Sequence, residues 1–154
     1  MWKAFQRYRA LDPKARALFR RAALLLPWIA FSLRFRGFRL TQAALQQRLA
    51  SVPASGANPS QDAILQMTCR MVKAAAHHGP VKPTCLVDSL TLWYLLQRQN
   101  IPATLKIGVR KQFQKLEAHA WVECNTVAVN QSEEQHRHYA PFEGAISEFS
   151  GDSQ

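Results

Sequence analysis

The stretch "PTCLVDSLTLWYLLQRQNIPATLKIGV", Pro83 to Val109, opens with a run that constrains the fold of this 154-residue chain more than any other. Read as a helix, its Leu86, Val87, Leu90, Leu92, Trp93, Leu95 and Leu96 leave no polar face wide enough to meet water. Such a helix has to be central, covered on every side by other elements of its domain. Pro83 stops regular structure ahead of it, Thr84 or Cys85 can supply the N-cap, and Pro102 follows its end. Composition permits the burial: 47% of the residues are apolar, and the length is that of one ordinary domain able to build a core without cross-links.

After Pro102 the periodicity changes from helix to strand. The segments "ATLKIGVRK", "EAHAWVEC" and "TVAVN" alternate and are rich in β-branched residues, and Asn125-Thr126 reads as a two-residue turn between the last two. In the middle strand His119, Trp121 and Glu123 share one face, while Ala118, Ala120, Val122 and Cys124 share the other. Gly108 inside the first strand marks a bulge or a close backbone approach. Ahead of the central helix, Asn58 as cap, Pro59 as opener and Gln61 three residues after the cap predict a helix that runs to His78 and stops at Gly79-Pro80. Its Ile64, Leu65, Thr68, Cys69, Met71, Val72, Ala75 and Ala76 form one face, which makes Cys69 a small core residue. "SVPASGANPS", residues 51–60, reads as a linker.

The net charge of +10 is confined to one part of the chain. Residues 1–50 carry eleven Lys and Arg against Asp12 alone, whereas residues 51–154 carry nine charges of each sign. Asp12 and Pro13 predict a helix start, followed by Ala15, Leu18, Phe19, Ala22, Leu25 and Leu26 at helical spacing, with a second helix resuming after Pro27. The uncharged run Ala22 to Leu33 is twelve residues long and contains a proline, short of the roughly 20 that span a bilayer. Three readings of this basic segment follow, in descending order: a helical cover for the rest of the domain, a docking surface for an acidic partner or peptide, and a membrane-surface helix. Nucleic acid is not expected, since no recognition motif accompanies the charge. Cys69, Cys85 and Cys124 form an odd set with no close pair, and the start of the chain lacks the pattern of a signal peptide, which predicts a reduced, cytoplasmic protein.

A cysteine at the first turn of a helix sits where unsatisfied N–H groups and the positive end of the dipole favour a thiolate, although Asp88 one turn on partly opposes this. Cys85 in that position with His119 on a following strand is a cysteine–histidine dyad layout. A zinc site from Cys69, His77, His78 and Cys85 lacks the usual ligand spacing, and no metal or other cofactor is expected. His77 and His78 read as partners of the last helical carbonyls, and His136 and His138 as loop residues.

"PTCLVDSLTLWYLLQRQNIPATLKIGVRK", "AHAWVE", "VNQSEE" and "YAPFE", from Pro83 to Glu143, resemble the transglutaminase-like branch of papain-type cysteine peptidases that cleaves lasso-peptide precursors. The resemblance implies an α+β fold in which a central helix carrying Cys85 packs on an antiparallel sheet carrying His119. An N-terminal helical extension is added to it. The expected division is a basic extension over 1–50, a linker over 51–60, a peptidase core over 61–146 and, over 147–154, a tail disordered by its composition. By resemblance Cys85 is the nucleophile and His119 the general base and acid. The family's third member is an aspartate in an Asn-Asp pair, and here the pair reads Asn130-Gln131. Strand parity from the Asn125-Thr126 turn puts Asn130 on the face of His119 and Trp121, making Asn130 the favoured orienter, Gln131 the second candidate and Glu133 an outside one. The implied partners are a precursor peptide as substrate, a leader-recognition protein acting in trans, since residues 1–50 do not read as a winged helix, and an asparagine-synthetase-like lactam synthetase. An acyl transferase and a non-catalytic peptide-binding subunit are the alternatives.

Overall fold

The structure, a computed structural model, describes residues 11–51, 61–79, 82–112, 115–130 and 140–141. The expected linker beyond Ser51 and the tail lie outside these. Three helices, α1 (Pro13–Leu49), α2 (Gln61–His78) and α3 (Cys85–Gln97), precede four strands: β1 (Thr104–Gln112), β2 (Lys115–Cys124), β3 (Val127–Ala128) and β4 (Ala140–Pro141). The strands form one antiparallel sheet in the order β3-β2-β1-β4.

Helix α3 is the centre of the domain, as its composition requires. Val87 and every residue from Ser89 to Leu96 are buried. Ala22, Leu26, Ile29 and Leu45 of α1, Val72 and Ala75 of α2, and Leu105, Val122 and Cys124 of the sheet join α3 in a single cluster. The helix stops where Asn100 takes a left-handed conformation (φ 56°) and Ile101 N–H reaches back to Leu96 O at 3.1 Å, a Schellman-type ending that Pro102 makes final.

Helix α1 begins as expected, with the Asp12 carboxylate accepting from Lys14 N–H at 3.1 Å. It does not break at Pro27. The core-facing series Ala22, Leu26, Ile29 and Ser32 runs straight through that proline, so packing on both sides outweighs the missing N–H. The break falls instead at Gly37 (φ 77°, ψ 176°), a backbone region open essentially to glycine alone. Two buried hydroxyls brace it. Thr41 Oγ1 donates to Gly37 O at 2.8 Å, which commits its one hydrogen, so Ser32 Oγ is the donor in the 2.8 Å bond between the two hydroxyls.

In the sheet, β1 and β2 pair without a slip from Thr104↔Glu123 to Gln112↔Lys115. Gly108 therefore marks no bulge; it stands between His119 on one side and Pro141 of β4 on the other, a close approach of three strands. The turn at Asn125 (φ 49°) and Thr126 (φ 67°) has both residues left-handed, as a two-residue hairpin needs. The strand expected over "TVAVN" holds its ladder for two residues only, and β4 was not expected.

Gly37→Ala would meet nothing within 4 Å, so its whole effect is backbone strain. A loss of about 1–3 kcal/mol is expected in urea unfolding; an unchanged midpoint would mean the chain can straighten at this position.

Candidate active site

Cys85 is the first residue of α3 and is exposed. Thr84 caps the helix, its hydroxyl accepting from Val87 N–H at 3.4 Å and its carbonyl from Asp88 N–H at 3.0 Å. The N–H groups of Cys85 and Leu86 belong to the first turn, where no helical carbonyl precedes them. An open cleft of about 340 Å³ surrounds the thiol, lined by Lys73, Ala76 and His77 of α2 and by Pro83, Thr84 and Asp88.

Burial separates the three cysteines. Cys124 is buried in the core, which pushes its thiol up, and Cys69 is pushed up to about 11 by burial first and then by the nearby Cys124 and Asp88. Cys85 is exposed, whereas Cys69 is half-buried and Cys124 buried. Burial also raises the Asp88 carboxyl, with Lys73 pulling the other way, and Asp88 Oδ1 is buried without a hydrogen-bond partner among the described residues.

His119 is half-buried on β2, its ring stacked on Trp121 with centroids 6.4 Å apart and planes 19° from parallel. Trp121 Nε1 donates to Glu123 Oε1 at 2.8 Å, so His119, Trp121 and Glu123 share a face as expected, while Val122 and Cys124 join the helical core. Because Gly108 is its partner on β1, no side chain stands across from the imidazole on that strand.

A chain of hydrogen bonds ties the two elements together. On the side of β2 that faces β3, the short β3 pairs only as far as Val129 N–H to Val122 O, at 2.9 Å. Beyond it, Val122 N–H donates to Asn130 Oδ1 at 2.9 Å, Asn130 Nδ2 donates to Ser89 Oγ at 2.9 Å, and Ser89 Oγ donates to Ala120 O at 2.9 Å. Polar groups that a longer β3 would have paired are thus met by two side chains. Ser89 lies one helical turn after Cys85, and Ala120 is adjacent to His119.

The cleft gathers Cys85 with His77, Lys73 and Asp88; His119 is not among its lining residues. Asn130 is engaged by Val122 and Ser89 rather than by the imidazole. Parity assumed a strand running on to Asn130, but β3 ends at Ala128 and the chain bends, which swings the amide to the sheet edge. Gln131, Glu133, His136 and His138 lie outside the described residues. Ser89 was missed. Its signal was legible, since a hydroxyl buried in an otherwise apolar helix, four residues from the candidate nucleophile, needs a partner.

A family model described as the transglutaminase-like superfamily matches residues 25–143, more than three quarters of the chain. The chain belongs to the transglutaminase-like superfamily. No curated protein and no solved structure matches it. The helices packed on a small antiparallel sheet are a transglutaminase-like domain of α+β class, and the matched region starts within α1, at Leu25. No helix among the described residues is long and apolar enough to cross a membrane.

Ser89→Ala and Asn130→Ala should each destabilise this transglutaminase-like domain by about 1–3 kcal/mol, because each orphans a buried partner. The double variant should lose less than the sum in urea unfolding. Additive losses would show that the three bonds do not act as a unit. Asp88 gives a second expectation. A carboxyl raised by folding contributes stability that is fully present below its ordinary value of 3.8 and is lost as pH rises through its folded value. Asp88→Asn should therefore flatten the stability profile over that window and melt higher than the parent at neutral pH; an identical profile would remove Asp88 from the pH dependence.

Proposed function

We propose that this transglutaminase-like domain is a cysteine peptidase that removes the leader from a lasso-peptide precursor, with Cys85 as nucleophile and His119 as general base and acid. One observation carries the reading: an exposed thiol opens the first turn of the central helix, and that helix is bonded through Ser89 to the strand that bears the histidine.

In the proposed reaction His119 takes the Cys85 proton, and the thiolate attacks a leader carbonyl to form a tetrahedral adduct. The oxyanion is met by the first-turn N–H groups of Cys85 and Leu86. His119 then protonates the departing amine as the C–N bond breaks, leaving an acyl-enzyme, and a water deprotonated by His119 releases the leader as a carboxylic acid. The Ser89–Asn130 bonds act before any of this, by fixing the strand against the helix. Asn130 enters as a positioning residue, and the orienter of His119 is left to the stretch containing Gln131 and Glu133. A leader-recognition protein would present the precursor in trans, and a lactam synthetase would close the freed core peptide. Passing the same thioester to an amine instead of water would make the protein an acyl transferase.

The test uses the full chain, a precursor peptide and its recognition protein, with products read by mass. Cys85→Ala should abolish cleavage, and alkylation at neutral pH should label Cys85 ahead of Cys69 and Cys124. His119→Ala should slow turnover by roughly 10²–10⁴-fold. His77 shares the cleft with Cys85, so His77→Ala is the decisive control. If His77→Ala is crippled while His119→Ala still turns over, the base has been assigned to the wrong histidine.

A further inference from the structure

Every exposed residue between positions 20 and 36 is an arginine, a leucine or a phenylalanine: Arg20, Arg21, Leu24, Arg34, Phe35, Arg36 and Phe31. Leu24 is 73% exposed, Phe31 63% and Phe35 69%, three of the five exposed large apolar residues of the described chain. At about 100° per residue, Leu24, Phe31 and Phe35 fall within about 20° of one line along the helix. The Phe31 and Phe35 rings touch, with centroids 4.3 Å apart. This stripe lies opposite the face formed by Ala15, Leu18, Ala22, Leu26 and Ile29, which packs on the body. A helical cover accounts for that inner face alone and leaves the outer stripe without a purpose.

We infer that the outer face of α1 is a docking surface for an anionic membrane, with Leu24, Phe31 and Phe35 entering the acyl boundary and the arginines meeting lipid phosphates. Two observations favour lipid over a protein partner. Charge is of one sign throughout, since α1 contains no acidic residue and guanidinium groups flank the stripe, a match to a sheet of phosphodiesters. The exposed set also carries no side chain with a directional neutral hydrogen-bonding group; Ser32, the one hydroxyl in the span, is buried against Thr41. A specific protein interface calls for such groups at its rim, whereas a fluid headgroup layer does not. The surface is one for lying on a bilayer, because no described helix can cross one. No residue of α1 lines the Cys85 cleft, so docking leaves it open. The inference is independent of the chemistry at Cys85.

The experiment is vesicle co-sedimentation of the full chain, comparing pure phosphatidylcholine with a mixture of phosphatidylcholine and phosphatidylglycerol. Binding is expected with the anionic vesicles and should weaken as salt rises. Leu24→Ser/Phe31→Ser/Phe35→Ser should lower partitioning at least about tenfold while melting like the parent, since all three side chains are exposed. Arg20→Glu/Arg34→Glu should lower it further at low salt than at high salt. A chain that stays in solution with both vesicles overturns the inference and returns the stripe to a protein partner. Binding that survives the apolar triple variant overturns it as well, because the attachment would then be charge alone.

Discussion

Burial of a helix apolar almost all round is strong but carries no direction: hydrophobic free energy depends on area removed from water and by itself leaves α3 free to slide or rotate against its neighbours. Direction comes from the edge of β2. A strand edge presents in-plane N–H and C=O groups that must be paired, and β3 is too short to pair the Val122 N–H and the Ala120 carbonyl. Ser89 and Asn130 meet them, at the cost of fixing where α3 lies along β2. The two elements that carry the candidate nucleophile and base are therefore registered by hydrogen bonds one helical turn from Cys85 and one residue from His119. Removing either side chain strands a buried partner, which is why so small a set of atoms can hold the arrangement.

The same division between direction and area runs through α1. Its inner face is continuous across Pro27 because each turn there buries an alkyl group, and a single lost backbone bond is small beside that. At Gly37 the chain turns, and two hydroxyls, Ser32 and Thr41, hold the turn by satisfying each other and the Gly37 carbonyl. The charge of the chain sits on this element for a structural reason. A helix with one face in the core keeps its remaining surface for solvent or a partner, so arginines placed there leave the packing untouched.

Elements whose signal is local were legible from residues alone. The end of helix α2 at His78 could be read from Gly79-Pro80, α3 from the apolar run that follows Pro83, and the two faces of β2 from its alternation. Features set by competition between distant parts were not. Whether Pro27 or Gly37 ends a helix depends on what α2 and α3 bury against α1. The length of β3 depends on Asn130 finding Ser89, forty-one residues earlier, a better partner than the next ladder position. Strand parity places Asn130 beside His119 only where the strand runs on, and β3 ends at Ala128. Membership of the transglutaminase-like superfamily was legible in Pro83 to Glu143, and the family match also takes in most of α1, which charge and the linker composition of residues 51–60 set apart.

The cleft around Cys85 holds charges that pull in opposite directions. Lys73 of α2 and Asp88 of α3, one turn along from the cysteine, both line it. Burial shifts Asp88 toward its neutral form, with Lys73 pulling the other way, so ionising the carboxyl costs folding stability. Asp88 Oδ1, without a donor among the described residues, follows from the same placement: the carboxyl lines the nucleophile's cleft and is held there between Val87 and Ser89, both buried. The helix that is too apolar to sit anywhere but the centre thus also places the Asp88 carboxyl in the cleft of the thiol at its start.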